Sequence, residues 1–99
     1  MRFEWDARKN RENVRKHGLD FTDAWEVFEN PLLVQLDTRD DSGENRWIGV
    51  GMLQKRGILV VIVFTEPAPD VIRIISLRKA TKNEKERYEK AIQDGLEAS

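Results

Sequence analysis

Cysteine is absent from this chain and histidine occurs once, at His17. Without thiols there can be no disulfide framework, no thiolate metal site and no catalytic thiol. A single imidazole argues against a zinc site, and no acidic pair has the spacing of an EF-hand or of a His-Glu-x-x-His helix. A glycine-rich phosphate loop is missing as well. Gly49-Val50-Gly51 falls in the middle of an apolar stretch and lacks the rest of a dinucleotide fingerprint. An enzyme built from this inventory is expected to use no metal and no cofactor. Long apolar runs are lacking too: Met1-Arg2-Phe3-Glu4-Trp5-Asp6 has no signal-peptide core, and no run approaches a membrane span. The expectation is a soluble, cytoplasmic protein with no membrane partner.

Charge of one sign is also scarce. Charged residues make up 35% of the chain, yet the net charge is −1, so no global field attracts nucleic acid. The distribution is uneven. From Arg8 to His17 five Lys and Arg face one acid, Glu12, whereas Asp37, Asp40, Asp41 and Glu44 stand against Arg39. Runs this short are commonly solvated surface, and they also suit two different partners.

What is present reads in order. Phe3-Glu4-Trp5 alternates as a short strand. Asp6 is placed to cap a helix over Ala7 to His17, with Gly18 as its left-handed stop. The apolar content of that helix is thin: Ala7 and Val14 share a face with Asn10 and His17. Either polar partners lie beneath it or its surface is reserved for a ligand. A second helix follows Asp20, with Phe21, Ala24, Trp25 and Phe28 at core-facing spacing, and Asn30-Pro31 ends it. Strands are predicted at Leu32–Leu36, Asn45–Leu53, Ile58–Phe64 and Val71–Ala80, with a hairpin turn at Asp40-Asp41-Ser42-Gly43. Gly49 and Gly51 share one strand face, where a helix or backbone is expected to approach closely. Ile58–Phe64 is apolar without alternation, so it is expected to be central. Glu66-Pro67-Ala68-Pro69-Asp70 reads as a loop stiffened by two prolines. Thr81 and Glu84 form a capping box for a last helix reaching about Leu96.

The order is read as β-α-α-β-β-β-α: an α+β domain over residues 1–99, with an antiparallel sheet packed against helices in two layers.

Cations near element ends are the candidates for chemistry. Alternation along the last strand places Ser76 and Arg78 on the face of Ile72 and Ile74, with Arg73 and Lys79 opposite. Arg46 begins its strand after Glu44, and His17 ends the first helix. Arginine forks suit charge developing on phosphodiester oxygens. Histidine, lysine or tyrosine can act as base and acid, which makes Lys9, Lys16, His17 and Tyr88 candidates by type. Each has a plainer reading. His17 can cap a helix end, Arg46 and Arg78 can pair with Glu44 or Glu66, and Tyr88 can be core. A non-catalytic binding module therefore stands beside the enzyme reading.

Taken together, Phe3-Glu4-Trp5-Asp6, Lys9, Asn13, Lys16-His17-Gly18, Phe21, Ala24, Val27-Phe28, Asn30-Pro31, Gly43-Glu44, Arg46, Gly49 and the run Arg73-Ile74-Ile75-Ser76-Leu77-Arg78-Lys79-Ala80, with Glu84, Arg87 and Tyr88, resemble the BrnT toxin family. The resemblance covers nearly the whole chain in one register. It implies a RelE/ParE-like fold and the toxin of a bacterial type II toxin–antitoxin pair, a metal-independent endoribonuclease that inhibits translation. It also implies an RNA substrate, neutralisation by a BrnA-like antitoxin, and contact with DNA only through that antitoxin. The active-site set it implies is Lys9, Lys16, His17, Arg46, Arg78 and Tyr88, with Arg73 and Lys79 contacting RNA.

Overall fold

The computed structural model describes residues 1–38 and 45–95. Its elements are β1 (Arg2–Glu4), α1 (Ala7–His17), a 3-10 helix (Phe21–Glu29), β2 (Leu33–Leu36), β3 (Arg46–Leu53), β4 (Ile58–Ala68), β5 (Val71–Lys79) and α2 (Lys82–Gln93). The strands form one sheet in the order β1-β5-β4-β3-β2. Four strands, not three, lie between the second and last helices, so the predicted order is one strand short. The sheet is antiparallel except at its margin, where β1 runs parallel to β5. That pairing joins segments some seventy residues apart and has no local signal. The hairpin turn predicted at Asp40–Gly43 and the end of the last helix at Leu96 lie outside the described residues.

Two layers become three. On one face Phe21, Ala24 and Val27 of the 3-10 helix and Leu19 pack on Leu53, Val60, Ile62, Phe64, Ile72, Ile74 and Leu77. On the other face Tyr88 and Ile92 of α2 pack on Val50, Leu59, Val61 and Ala80. β4 supplies residues to both clusters and is central, as its unbroken apolar run predicts. Each fully buried aliphatic side chain here stabilises the fold by about 1.5–3 kcal/mol.

The second helix is corrected in pitch. A 3-10 helix repeats every three residues, so Phe21, Ala24 and Val27 are buried, while Trp25 is 43% exposed. Trp25 instead lies under the Lys55 ammonium, 5.6 Å from its ring centroid. Gly51 explains why Val27 is chosen. A Cβ on Gly51 would stand 2.7 Å from Val27 Cγ1 and 2.9 Å from Leu32 Cδ1. The close approach expected at the paired glycines is this helix.

α1 has the predicted limits. Asp6 accepts from the Lys9 N–H at 3.0 Å, and Gly18, at φ 68°, donates its N–H to the Val14 carbonyl. Val14 is exposed, and asparagines replace apolar burial in anchoring the helix. Asn10 donates to Asp20 Oδ1 (2.9 Å) and accepts from the Phe21 N–H (2.8 Å). Asn13, which is buried, donates to the Leu19 and Leu77 carbonyls and accepts from the Leu77 N–H. β1 has ended before Leu77, so this amide takes the place of a missing strand neighbour.

Two irregularities reshape β4 and β5. Ser76 pairs with Val63 but Ile74 pairs with Phe64, so Ile75 is an extra residue, a β-bulge. A second shift between Thr65 and Ala68 accommodates Glu66 and Pro67. β4 therefore runs through most of the predicted proline loop, and only Pro69 and Asp70 form the turn. Proline is tolerated there because ladder pairing has lapsed.

Candidate active site

The bulge decides which side chains meet. Ile72, Ile74 and Leu77 belong to the α1-side core, so Arg73, Ser76 and Arg78 all point to the α2 side. Plain alternation, which separates Arg73 from Ser76 and Arg78, is overturned by the extra residue. Lys79 pairs with Val60 at the end of the β4–β5 ladder. It lines a separate opening with Lys85 and Glu89, at the far end of β5 from Arg73.

Three cross-strand rows result on the α2 side, since paired residues share a face. The first runs Glu4, Arg73, Thr65, Arg46. The second runs Ser76, Val63, Ile48, Gln35, and the third Arg78, Val61, Val50, Leu33. With strands about 4.8 Å apart, the Arg46 and Arg73 backbones stand about 10 Å apart with Thr65 between them. Arg73 Nε donates to Glu4 Oε2 at 2.9 Å, which draws it toward β1. Thr65 is 3% exposed, and its hydroxyl has no hydrogen-bond partner among the described residues. α2 packs on the third row and on Ile48 of the second, leaving the arginine row outside its cluster.

Arg78 is held from α2. Its Nη1 and Nη2 donate to Glu84 Oε1 and Oε2 at 2.9 and 2.8 Å, a two-bond fork. Glu84 also closes the capping box, accepting from the Thr81 N–H at 2.7 Å. The Arg78 fork, helped by that Thr81 bond, lowers the Glu84 carboxyl to about 2, and Glu84 in turn raises Arg78 above its ordinary value. The partner of Arg78 is Glu84 and not Glu66, which is exposed; Glu44 lies outside the described residues.

Lys9, Lys16 and His17 form a second group. Helical spacing sets Lys9, Asn13 and Lys16 along one face, and these line an open groove with His17, Ile75 and Ser76. Ser76 thus lies in the groove and in the second sheet row, and there the helix cations adjoin the arginine face. Tyr88 is separate from both groups. It is 7% exposed, and its hydroxyl donates to the Pro31 carbonyl at 2.7 Å, tying α2 to the approach to β2.

Three residues of this region have no site role assigned from sequence. Asn13 was visible as a second asparagine one turn after Asn10 in a helix short of apolar residues. Glu84 appears in sequence as a cap and as part of the family resemblance, and its place six residues from Arg78 is the signal for the ion pair. Nothing local singles out Thr65.

Among the described residues no helix is long and apolar enough to cross a membrane. No curated protein matches the sequence. A family profile described as the ribonuclease toxin BrnT of type II toxin–antitoxin systems matches residues 5–84. The crystal structure of the Brucella abortus ribonuclease toxin BrnT is similar at 26% identity and a TM-score of 0.64, over 83% of this chain and 99% of that one. The profile spans α1, the whole sheet from Trp5 onward and the Arg78–Glu84 junction, so the chain belongs to the BrnT family of ribonuclease toxins of type II toxin–antitoxin systems.

Proposed function

We propose that this chain is a single RelE-like toxin domain that cuts RNA without a metal, thereby inhibits translation in the cytoplasm, and is neutralised by a BrnA-like antitoxin that alone contacts DNA. The observation that carries the reading is the gathering of Arg46, Arg73 and Arg78 on one sheet face by the bulge at Ile75. A phosphodiester seated there meets guanidinium forks where charge builds on its non-bridging oxygens. The 2′-hydroxyl attacks the adjacent phosphorus, the 2′-O–P bond forms, and the P–O5′ bond breaks to leave a 2′,3′-cyclic phosphate. The proton lost by the 2′-hydroxyl goes to a base, and the departing 5′ oxygen takes one from an acid. Lys9, Lys16 and His17 fill these roles from the adjoining groove, histidine being the side chain best suited to proton exchange near neutral pH. Arg78, preorganised by Glu84, is the principal anion clamp. Tyr88 supports the site through packing, and Lys79 is a peripheral RNA contact.

The test is cleavage of RNA by the purified chain in EDTA, paired with growth on expression without antitoxin. Fragmentation that persists in EDTA, growth arrest, and loss of both in folded Arg78→Ala are expected. Intact RNA with the unaltered protein overturns the reading. A second reading, a non-catalytic binding module, is favoured by the neutralisation of Arg78 by Glu84. It predicts that Arg46→Ala and Arg78→Ala change partner affinity and leave RNA integrity as it was.

A further inference from the structure

Beside Arg78 the α2 face holds a niche that the cleavage reaction itself does not use. Leu33, Ile48 and Val50 form its floor, and Gln35, Glu84 and Arg87 its rim. An adjoining hollow shares Gln35, Ile48 and Glu84 and includes Arg78, so the niche opens toward the proposed phosphate clamp. An aliphatic floor on a sheet, bordered by a few polar groups, suits a flat ring whose edge carries donors and acceptors.

The rim has a definite hydrogen-bonding character. Glu84 Oε1 already accepts from Arg78 Nη1 and the Thr81 N–H, whereas among the described residues Oε2 accepts only from Arg78 Nη2. A carboxylate offers about four acceptor positions, so one remains on Oε2. Arg87, exposed and one turn further along α2, makes no hydrogen bond or ion pair with the described residues. A donor fork therefore stands next to a single open acceptor. Guanine is the base that complements both. Its O6 and N7 accept an arginine fork, and its N1–H or N2 amine donates to the one open carboxylate position. Adenine places an amine where the fork needs an acceptor, and pyrimidines lack N7.

We propose that this niche is a base subsite selecting guanine next to the phosphate held by Arg78, an inference that rests on the ribonuclease reading for its role. The experiment titrates guanosine, adenosine and uridine 3′-monophosphates into the full chain. It follows the backbone amides of Gln35, Ile48 and Val50 by NMR, for the unaltered protein and for Arg87→Ala. The guanosine nucleotide is expected to bind roughly tenfold tighter than the other two, as one bidentate pair confers. Arg87→Ala is expected to abolish that preference while thermal unfolding stays unchanged. Equal binding of all three nucleotides, a guanosine preference that survives Arg87→Ala, or amide shifts only on addition of a protein partner each overturn the subsite. Cleavage is scored separately on RNAs with and without guanine. Cutting that ignores guanine removes the subsite and spares the nuclease. Selective binding of the guanosine nucleotide without any cutting removes the nuclease and leaves a nucleotide site.

Discussion

The side-chain amide of Asn13 in α1 bonds both backbone groups of Leu77 in β5, accepting from its N–H at 3.1 Å and donating to its carbonyl at 2.8 Å. A helix is thereby fastened to a strand margin by hydrogen bonds where apolar contacts are too few. It also holds the helix bearing Lys9, Lys16 and His17 beside Ser76.

Removing that amide should be expensive. Asn13→Ala leaves the Leu77 N–H and two carbonyls without their partner in a buried setting, and a loss of about 3 kcal/mol is expected. Chemical denaturation should show it, with a melting point lower by more than about 10 °C. Asn13→Asp should be at least as damaging, because a carboxylate would face the Leu19 and Leu77 carbonyls that now accept from the amide.

Glu84 predicts an acid sensitivity. Its carboxyl is depressed from 4.5 to about 2 by the Arg78 fork and the Thr81 N–H. A folded-state pKa below the unfolded one gives stability that is present above about pH 4.5 and lost as pH falls toward 2. With the Arg78 side chain 38% exposed and solvent screening the pair, the contribution is about 1–2 kcal/mol. Urea midpoints measured at pH 7 and pH 3 should converge in Glu84→Gln more than in the parent. Glutamine can still serve the capping box, so its loss of RNA cleavage would report the Arg78 clamp.

Thr65 carries a buried hydroxyl without a partner among the described residues, a costly arrangement in a folded core. Thr65→Val preserves the branched shape and is expected to raise stability by about 1 kcal/mol. If that hydroxyl serves bound RNA between Arg46 and Arg73, the same variant should cleave more slowly. A melting curve and a cleavage time course on one preparation separate the two effects.

Gly51 sets the seat of the 3-10 helix. Gly51→Ala forces a methyl against Val27 and Leu32 and should cost about 1–3 kcal/mol. Val27→Ala should recover part of that loss in the double variant. Strict additivity in the four-member cycle would show that Val27 does not limit the approach.

The parts of this fold that were legible in sequence are those fixed by neighbouring residues. Asp6 and Gly18 delimit α1 through bonds within one turn, and Thr81 with Glu84 starts α2 in the same manner. Gly49 and Gly51 announced a close approach without naming what approaches. The exchange of Trp25 for Val27 in the core escaped because helical pitch there is set by the sheet beneath. The parallel β1–β5 pairing and the bulge depend on the register between distant strands, which no window along the chain displays. For the site this mattered most: the residue types were readable, but which of Arg73, Ser76 and Arg78 share a face was not.

Ile75 gives the two halves of β5 opposite parity. Its side chain can be exchanged at modest cost, since it is only partly buried, and the ladder pairs on either side of it do not require it. Deleting it would remove the bulge and restore simple alternation, with Leu77 still in the core opposite Ile62 and Arg73, Ser76 and Arg78 still on the α2 side. The shared face of Arg73, Ser76 and Arg78 is therefore insensitive both to the side chain at this position and to the loss of the residue itself.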